Sequence, residues 1–156
     1  TATEQGLNNV AFTRLRIENI TNFFAESEVD EIWITFPDPF PKADGAKRRL
    51  SAPKFLHRYE KVCKPGAIIH FKTDDLPLFH FTKEMVDEQG YKVLYYKEDI
   101  YSAPFEYEEL GIQTHYERSH LANGRTINYI RFEMPLQKRN LPVEVNHIPE
   151  EDEEQE

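Results

Sequence analysis

Ile32-Trp33-Ile34-Thr35-Phe36-Pro37-Asp38-Pro39-Phe40-Pro41-Lys42 is the stretch on which the fold turns. Residues 32–36 are β-branched and aromatic, and they predict a short strand buried on both faces, as in the middle of a parallel sheet. Pro37, Pro39 and Pro41 lack backbone donors and push their predecessors toward extended conformations, so the strand stops there. Asp38 is thereby set on a stiff loop at a strand's carboxyl end, the rim where open α/β sheets bind ligands. Asp-Pro is also ordinary turn chemistry, and a simple turn cap is the competing reading of Asp38. Against it, the proline spacing is stiffer than a turn needs, and a basic run, Lys42 then Lys47-Arg48-Arg49, follows at once.

A chain of 156 residues suits one domain, and 39% hydrophobic with 13% aromatic content is enough for a core. The domain is expected over 1–134, with 135–156 a polar and then acidic tail expected to be mobile. The single cysteine, Cys63, excludes an internal disulfide framework, supplies no metal cluster and fits a reducing compartment. No apolar run approaches the roughly 18 residues of a membrane span, and no signal-peptide layout opens the chain. A cytoplasmic protein with no membrane or metal partner is therefore expected. Net charge is −9, which argues against a polyanionic partner until its distribution is considered. Six acids fall in the last seven residues, whereas 42–64 carries eight Lys/Arg against Asp44 and Glu60, a local +6. A local patch decides whether phosphates are attracted.

Before the central strand, residues 1–6 suggest a helix end stopped by Gly6. Residues 10–12 are a strand candidate, and 17–24 a helix with Ile17, Ile20, Phe23 and Phe24 on one face. An acidic connector is expected over 28–31. Beyond the basic loop, Ser51 predicts the cap of a helix running to Cys63, with Pro53 in its first turn. Phe55, Leu56, Tyr59, Val62 and Cys63 form its buried stripe, and Arg58 and Lys61 its solvated side. A second buried strand, 67–71, ends in Lys72-Thr73-Asp74-Asp75, which gives Asp74 the same rim position as Asp38. Either Asp74 or Asp75 can cap the next helix, 76–88, which Gly90 ends. A third strand is expected over 91–96 and a last one over 126–134, with the polar cluster Thr114-His115-Tyr116-Glu117 between them. This alternation predicts a three-layer α/β domain with a mainly parallel sheet.

Four motifs follow one another in this chain. They are Phe36-Pro37-Asp38-Pro39-Phe40-Pro41-Lys42 with Lys47-Arg48-Arg49, His70-Phe71-Lys72-Thr73-Asp74, Thr114-His115-Tyr116-Glu117, and Gly124-Arg125-Thr126-Ile127-Asn128-Tyr129. Over about 9–134 the chain resembles the bacterial tRNA (guanine-N7)-methyltransferases. The resemblance implies a Rossmann-like class I methyltransferase fold, S-adenosyl-L-methionine as cofactor, tRNA as partner, and methyl transfer to guanine N7 in the variable loop. It implies Asp38 as the catalytic and cofactor-side aspartate, and Lys42 and Asp74 as substrate-binding residues. Thr114, His115, Tyr116 and Glu117 would contact substrate, and Lys47, Arg48 and Arg49 would contact RNA. Phe40 departs from the family's tryptophan. Arg16 stands where the family has an Asp or Asn against the cofactor's adenine, so only its backbone carries over as cofactor-binding.

The family's glycine-rich first loop and the acid ending its second strand have no match, and no Gly-x-Gly occurs in the chain. In the class I strand order 3-2-1-4-5-7-6, the chain corresponds to the C-terminal two-thirds, with strands 1 and 2 absent. A truncated form that binds cofactor weakly or not at all is expected, with exposed sheet edges that favour a homodimer. Two other readings stay open. One is a non-catalytic RNA-binding remnant. The other is an amino-group methyltransferase acting on another nucleic-acid base, whose Asn/Asp-Pro-Pro-Tyr/Phe loop Asp38-Pro39-Phe40 distantly resembles.

Overall fold

The computed structural model describes residues 3–143. Four strands, β1 (Val29–Thr35), β2 (Cys63–Thr73), β3 (Lys92–Lys97) and β4 (Asn128–Glu133), form one sheet in the order β1-β2-β4-β3. β1 and β2 pair in parallel, and β4 inserts antiparallel between β2 and β3. Three strands therefore share one direction, and the order corresponds to the 4-5-7-6 end of the class I arrangement.

The helices are α1 (Ile20–Phe23), α2 (Pro53–Val62), α3 (Leu76–Glu88) and α4 (His115–Ala122). Side chains alternate across a strand, so β1, β2 and β4 sort their residues by face. Ile34, Ile69, Phe71, Ile130 and Phe132 turn toward α1, α2 and α3 and share one core with Leu56, Tyr59, Leu78 and Phe79. On the opposite face Ile100, Leu110, Ile127 and Tyr129 make a smaller cluster with Phe36 and Leu121 packed against it. The segment 100–122 is thus the third layer.

β1 is not buried on both faces. Ile34 is buried, whereas Trp33 is 38% exposed. Its indole covers that side alone, stacked on the His70 ring at 3.9 Å, so a run of large apolar residues did not mean two buried faces. β1 also begins at Val29, which puts part of the expected acidic connector inside the strand. Residues 10–12 form no strand, because no described segment pairs with them, and Phe12 is 86% exposed. Gly6, at φ +68°, closes a turn onto the Thr3 carbonyl rather than a helix. In 17–24, Ile20 is buried, but Phe23 and Phe24 are exposed.

The stripe of α2 is as expected, with Phe55, Leu56, Tyr59, Val62 and Cys63 all buried. Ser51 does not cap it. Its hydroxyl instead shares a 2.7 Å hydrogen bond with Thr82 of α3, because burial between two helices leaves no route back to the α2 amides. Arg58 is buried rather than solvated, and donates to the Lys54 carbonyl one turn earlier at 3.0 Å. Asp75 is the cap of α3, accepting the Leu78 N–H at 2.7 Å, which leaves Asp74 for another role. The first residues after 134 contact the domain. Arg139 donates to Glu60 at 2.8 Å, and Lys138 to the Lys61 carbonyl at 2.8 Å. The acidic run lies outside the described residues. Among the described residues no helix is long and apolar enough to cross a membrane, and no group of three or more His, Cys, Asp or Glu could hold a metal.

Candidate active site

The site is built where β1 and β2 end side by side. The Phe36 N–H donates to the Lys72 carbonyl at 2.9 Å, carrying the pairing just past β1. The chain then turns sharply, with Phe36 at φ +52° and Phe40 at φ +41°, a left-handed region costly for residues with side chains. Between them Asp38 is exposed, and its Oδ1 accepts the Phe40 N–H at 2.9 Å. The turn-capping geometry is therefore real. Arg49 braces the same loop, donating to the Pro39 and Phe40 carbonyls at 3.0 Å each while its guanidinium lies over Phe81.

The basic segment is smaller than its sequence charge. Arg49 is committed to the loop, Lys61 and Lys64 pair with Glu26 and Asp30, and Lys54 lies over Phe55. Lys42, Lys47 and Arg48 remain as exposed cations, with Arg48 stacked 4.4 Å over Phe40. Residues Ala43–Arg48 form a 3-10 turn. Gly45 fits closely there, since a Cβ would lie 3.0 Å from that of Phe40.

Just beyond β2, Asp74 is only 11% exposed at its side chain, and its Oδ2 meets both Arg125 Nη1 and, at 3.3 Å, His120 Nδ1. The His120 ring packs 5.3 Å from that of Phe36, so the ends of β1 and β2 and the last turn of α4 converge. Thr114 caps α4 by accepting the Glu117 N–H at 3.1 Å. Thr-x-x-Glu is a helix-start signature, and it could have disclosed α4 from sequence. Glu117 does not reach back to the cap. It is fully buried, accepting from Lys72 Nζ at 2.8 and 2.9 Å and from the Tyr101 hydroxyl at 2.7 Å. His115 and Tyr116 face outward, Tyr116 at 68% exposure. Of that cluster, Thr114 and Glu117 build the site and His115 and Tyr116 are presented by it. Sequence reasoning missed Lys72, His120 and Arg125, none of which carries a periodic signal.

A cleft of about 650 Å³ lies on the second sheet face, between Trp33, Ile68, His70, Leu94, Tyr107 and Arg131. Thr35, Thr114 and Glu117 also line it, so its upper end abuts the rim, but Asp38 and Asp74 do not. At its floor, burial lowers the His70 pKa despite the opposing pull of Glu31, whose Oε1 is 2.5 Å from Nε2. Its Nδ1 lies 2.7 Å from the Tyr129 hydroxyl.

A family described as "Putative methyltransferase" matches residues 1–130, and the chain belongs to it. The tRNA (guanine-N(7)-)-methyltransferase of Christiangramia forsetii is 47% identical over 135 residues, which cover 86% of this chain and 60% of the relative. The chain spans about 60% of the length of the curated relatives it matches. Among solved structures, the (4+2)-cyclase SpnF aligns at a TM-score of 0.55 and 15% identity, covering 87% of this chain and 61% of that one. A "putative sarcosine dimethylglycine methyltransferase" from Galdieria sulphuraria aligns at 0.51 and 12% identity, covering 86% and 63%. At such identities the likeness is one of fold.

Asp38 and Arg16, the two residues expected on the cofactor side, both lie exposed. Asp38 presents its carboxylate, and Arg16, exposed and extended at φ −78° and ψ 129°, presents its backbone. At Gly45 and Gly111, in the connections leaving β1 and β3, an added Cβ would come within 3.0 Å of the Phe40 and Phe105 side chains. Neither makes a cradle that a ligand could enter, so these residues do not by themselves enclose S-adenosyl-L-methionine.

Proposed function

We propose that this chain is the guanine- and tRNA-binding portion of an S-adenosyl-L-methionine-dependent tRNA (guanine-N7)-methyltransferase. What carries the reading is one rim where the ends of β1 and β2, followed by Asp38 and Asp74, meet the last turn of α4, with three exposed cations on the adjoining loop. The names of relatives at 47% identity and below support the same target.

Guanine N7 carries an in-plane lone pair and no proton, so its methylation needs positioning more than a strong base. S-adenosyl-L-methionine, when bound, supplies the electrophilic methyl group. As N7 becomes methylated the purine turns cationic, and its N1–H and N2–H become stronger donors. Asp38 and Asp74 accept those hydrogens and hold the base more tightly in the transition state than before it. Lys42, Lys47 and Arg48 grip phosphates without regard to sequence. Thr114, through its cap, presents His115 and Tyr116 to the nucleotide.

The test is a chimera in which this chain replaces the matching 135 residues of the Christiangramia forsetii relative. Asp38→Asn in that chimera should cut turnover by about 10²-fold, the scale for one preorganised contact, with tRNA binding retained. Near-normal turnover removes Asp38 from the chemistry. A second reading, RNA binding without catalysis, is favoured by the hemmed-in Gly45 and Gly111, which form no cofactor cradle, and predicts a chimera that binds tRNA and transfers nothing.

A further inference from the structure

Asp74 is engaged on one oxygen only. Arg125 Nη1 donates to Oδ2, and His120 Nδ1 lies 3.3 Å from the same atom. Oδ2 is therefore flanked by a guanidinium and an imidazole ring that leave little room for a further donor, whereas Oδ1 has no partner among the described residues. The Watson–Crick edge of guanine presents two donors side by side, N1–H and N2–H, a match for both oxygens of one carboxylate. Asp74 cannot take both until a partner leaves Oδ2.

Arg125 is the partner able to leave. Its side chain is 59% exposed, and it stands on the turn after α4, where Gly124 adopts φ +73°. Its backbone N–H is anchored to the His120 carbonyl at 3.0 Å, so the side chain can move while the turn stays. His120, 24% exposed and packed beside Phe36, is the fixed partner. A guanidinium binds phosphate with the same paired donors it gives a carboxylate, so a nucleotide phosphate is a fair exchange for Asp74.

We propose that Arg125 is a specificity residue that exchanges partners. It leaves Asp74 for the phosphate of the incoming guanosine nucleotide and thereby frees both carboxylate oxygens for the base. This rests on the proposed role of Asp74 as guanine acceptor. The exchange leaves Arg125 with a charge-assisted hydrogen bond before and after it. A nucleoside without phosphate offers Arg125 nothing in return and must break the pair uncompensated. The site therefore admits guanine as part of a phosphate-bearing chain and resists the free nucleoside.

NMR titration of this chain with GMP, guanosine and AMP, followed at the Asp74 and Arg125 amides, tests the exchange. The wild-type chain should bind GMP about tenfold or more tighter than guanosine, the worth of one charge-assisted contact. Arg125→Gln, an exposed substitution, should bind guanosine at least as well as wild type and lose the preference for GMP. The proposal is overturned if Arg125→Gln keeps that preference. It is overturned equally if the variant weakens guanosine along with GMP, since Arg125 then only braces Asp74. A wild-type chain that does not distinguish GMP from AMP removes the guanine role of Asp74, and the exchange with it.

Discussion

Lys72 and Glu117 form an ion pair exposed by only 2% and 0%, closed further by the Tyr101 hydroxyl and the Leu110 carbonyl. Breaking such a pair on one side strands a buried charge. Lys72→Met should destabilise the fold by about 3–5 kcal/mol, and adding Glu117→Leu should recover much of the loss. Urea unfolding of the single and double variants checks this, and a double variant no better than the single would contradict it. Glu60 is a different case. Burial alone would raise its pKa, but hydrogen bonds from Arg139 and Tyr91, with the Arg139 charge, outweigh burial and hold it below the usual carboxylate value. A carboxylate depressed in the folded state contributes stability present above its unfolded pKa and lost as pH falls through the folded one. Arg139→Ala should therefore lower the neutral-pH melting temperature and flatten its decline into acid. An acid limb as steep as wild type would show that this strap contributes nothing through Glu60. Neither pair was visible in sequence, because a charged residue on a strand or helix reads as solvated until its neighbours are known.

The loop between β1 and α2 shows where element-level reading succeeds and where it stops. Prolines at 37, 39 and 41 end β1 as expected, because their constraint is local and needs no tertiary partner. The α2 stripe and the span of α3 were legible for a similar reason, since helical periodicity is carried by the segment itself. The roles of the basic residues were not, because Lys47, Arg48 and Arg49 are neighbours in sequence with different surroundings. Glutamates at Lys47 and Arg48 should weaken tRNA binding and flatten its salt dependence by about two phosphate contacts' worth of slope. Arg49→Ala, which frees the Pro39 and Phe40 carbonyls, should change that slope less and disturb the Asp38 loop more. Filter binding across a salt series separates them, and equal slope changes would return Arg49 to the RNA-contacting set.

Across the whole molecule, strand–helix alternation was enough for a layered, mainly parallel sheet, whereas the order β1-β2-β4-β3, with β4 antiparallel, agrees with what the family resemblance implied. What pattern could not supply was the second sheet face. Trp33, His70 and Arg131 are a large apolar, a titratable and a charged residue, yet they share one cleft wall because strand register aligns them. The rim was legible as two carboxylates at strand ends. Its third contributor, the turn after α4, came only with the fold. The central claim is that this rim directs methylation to guanine N7. The most direct measurement is the product made by the chimera on an unmodified tRNA transcript, read by cleavage at 7-methylguanosine and by nucleoside mass spectrometry. The account predicts 7-methylguanosine at one variable-loop guanine and its loss when that guanine is replaced by adenine. A methyl group on an exocyclic amino nitrogen, or methylation of the adenine transcript at a similar rate, would contradict it.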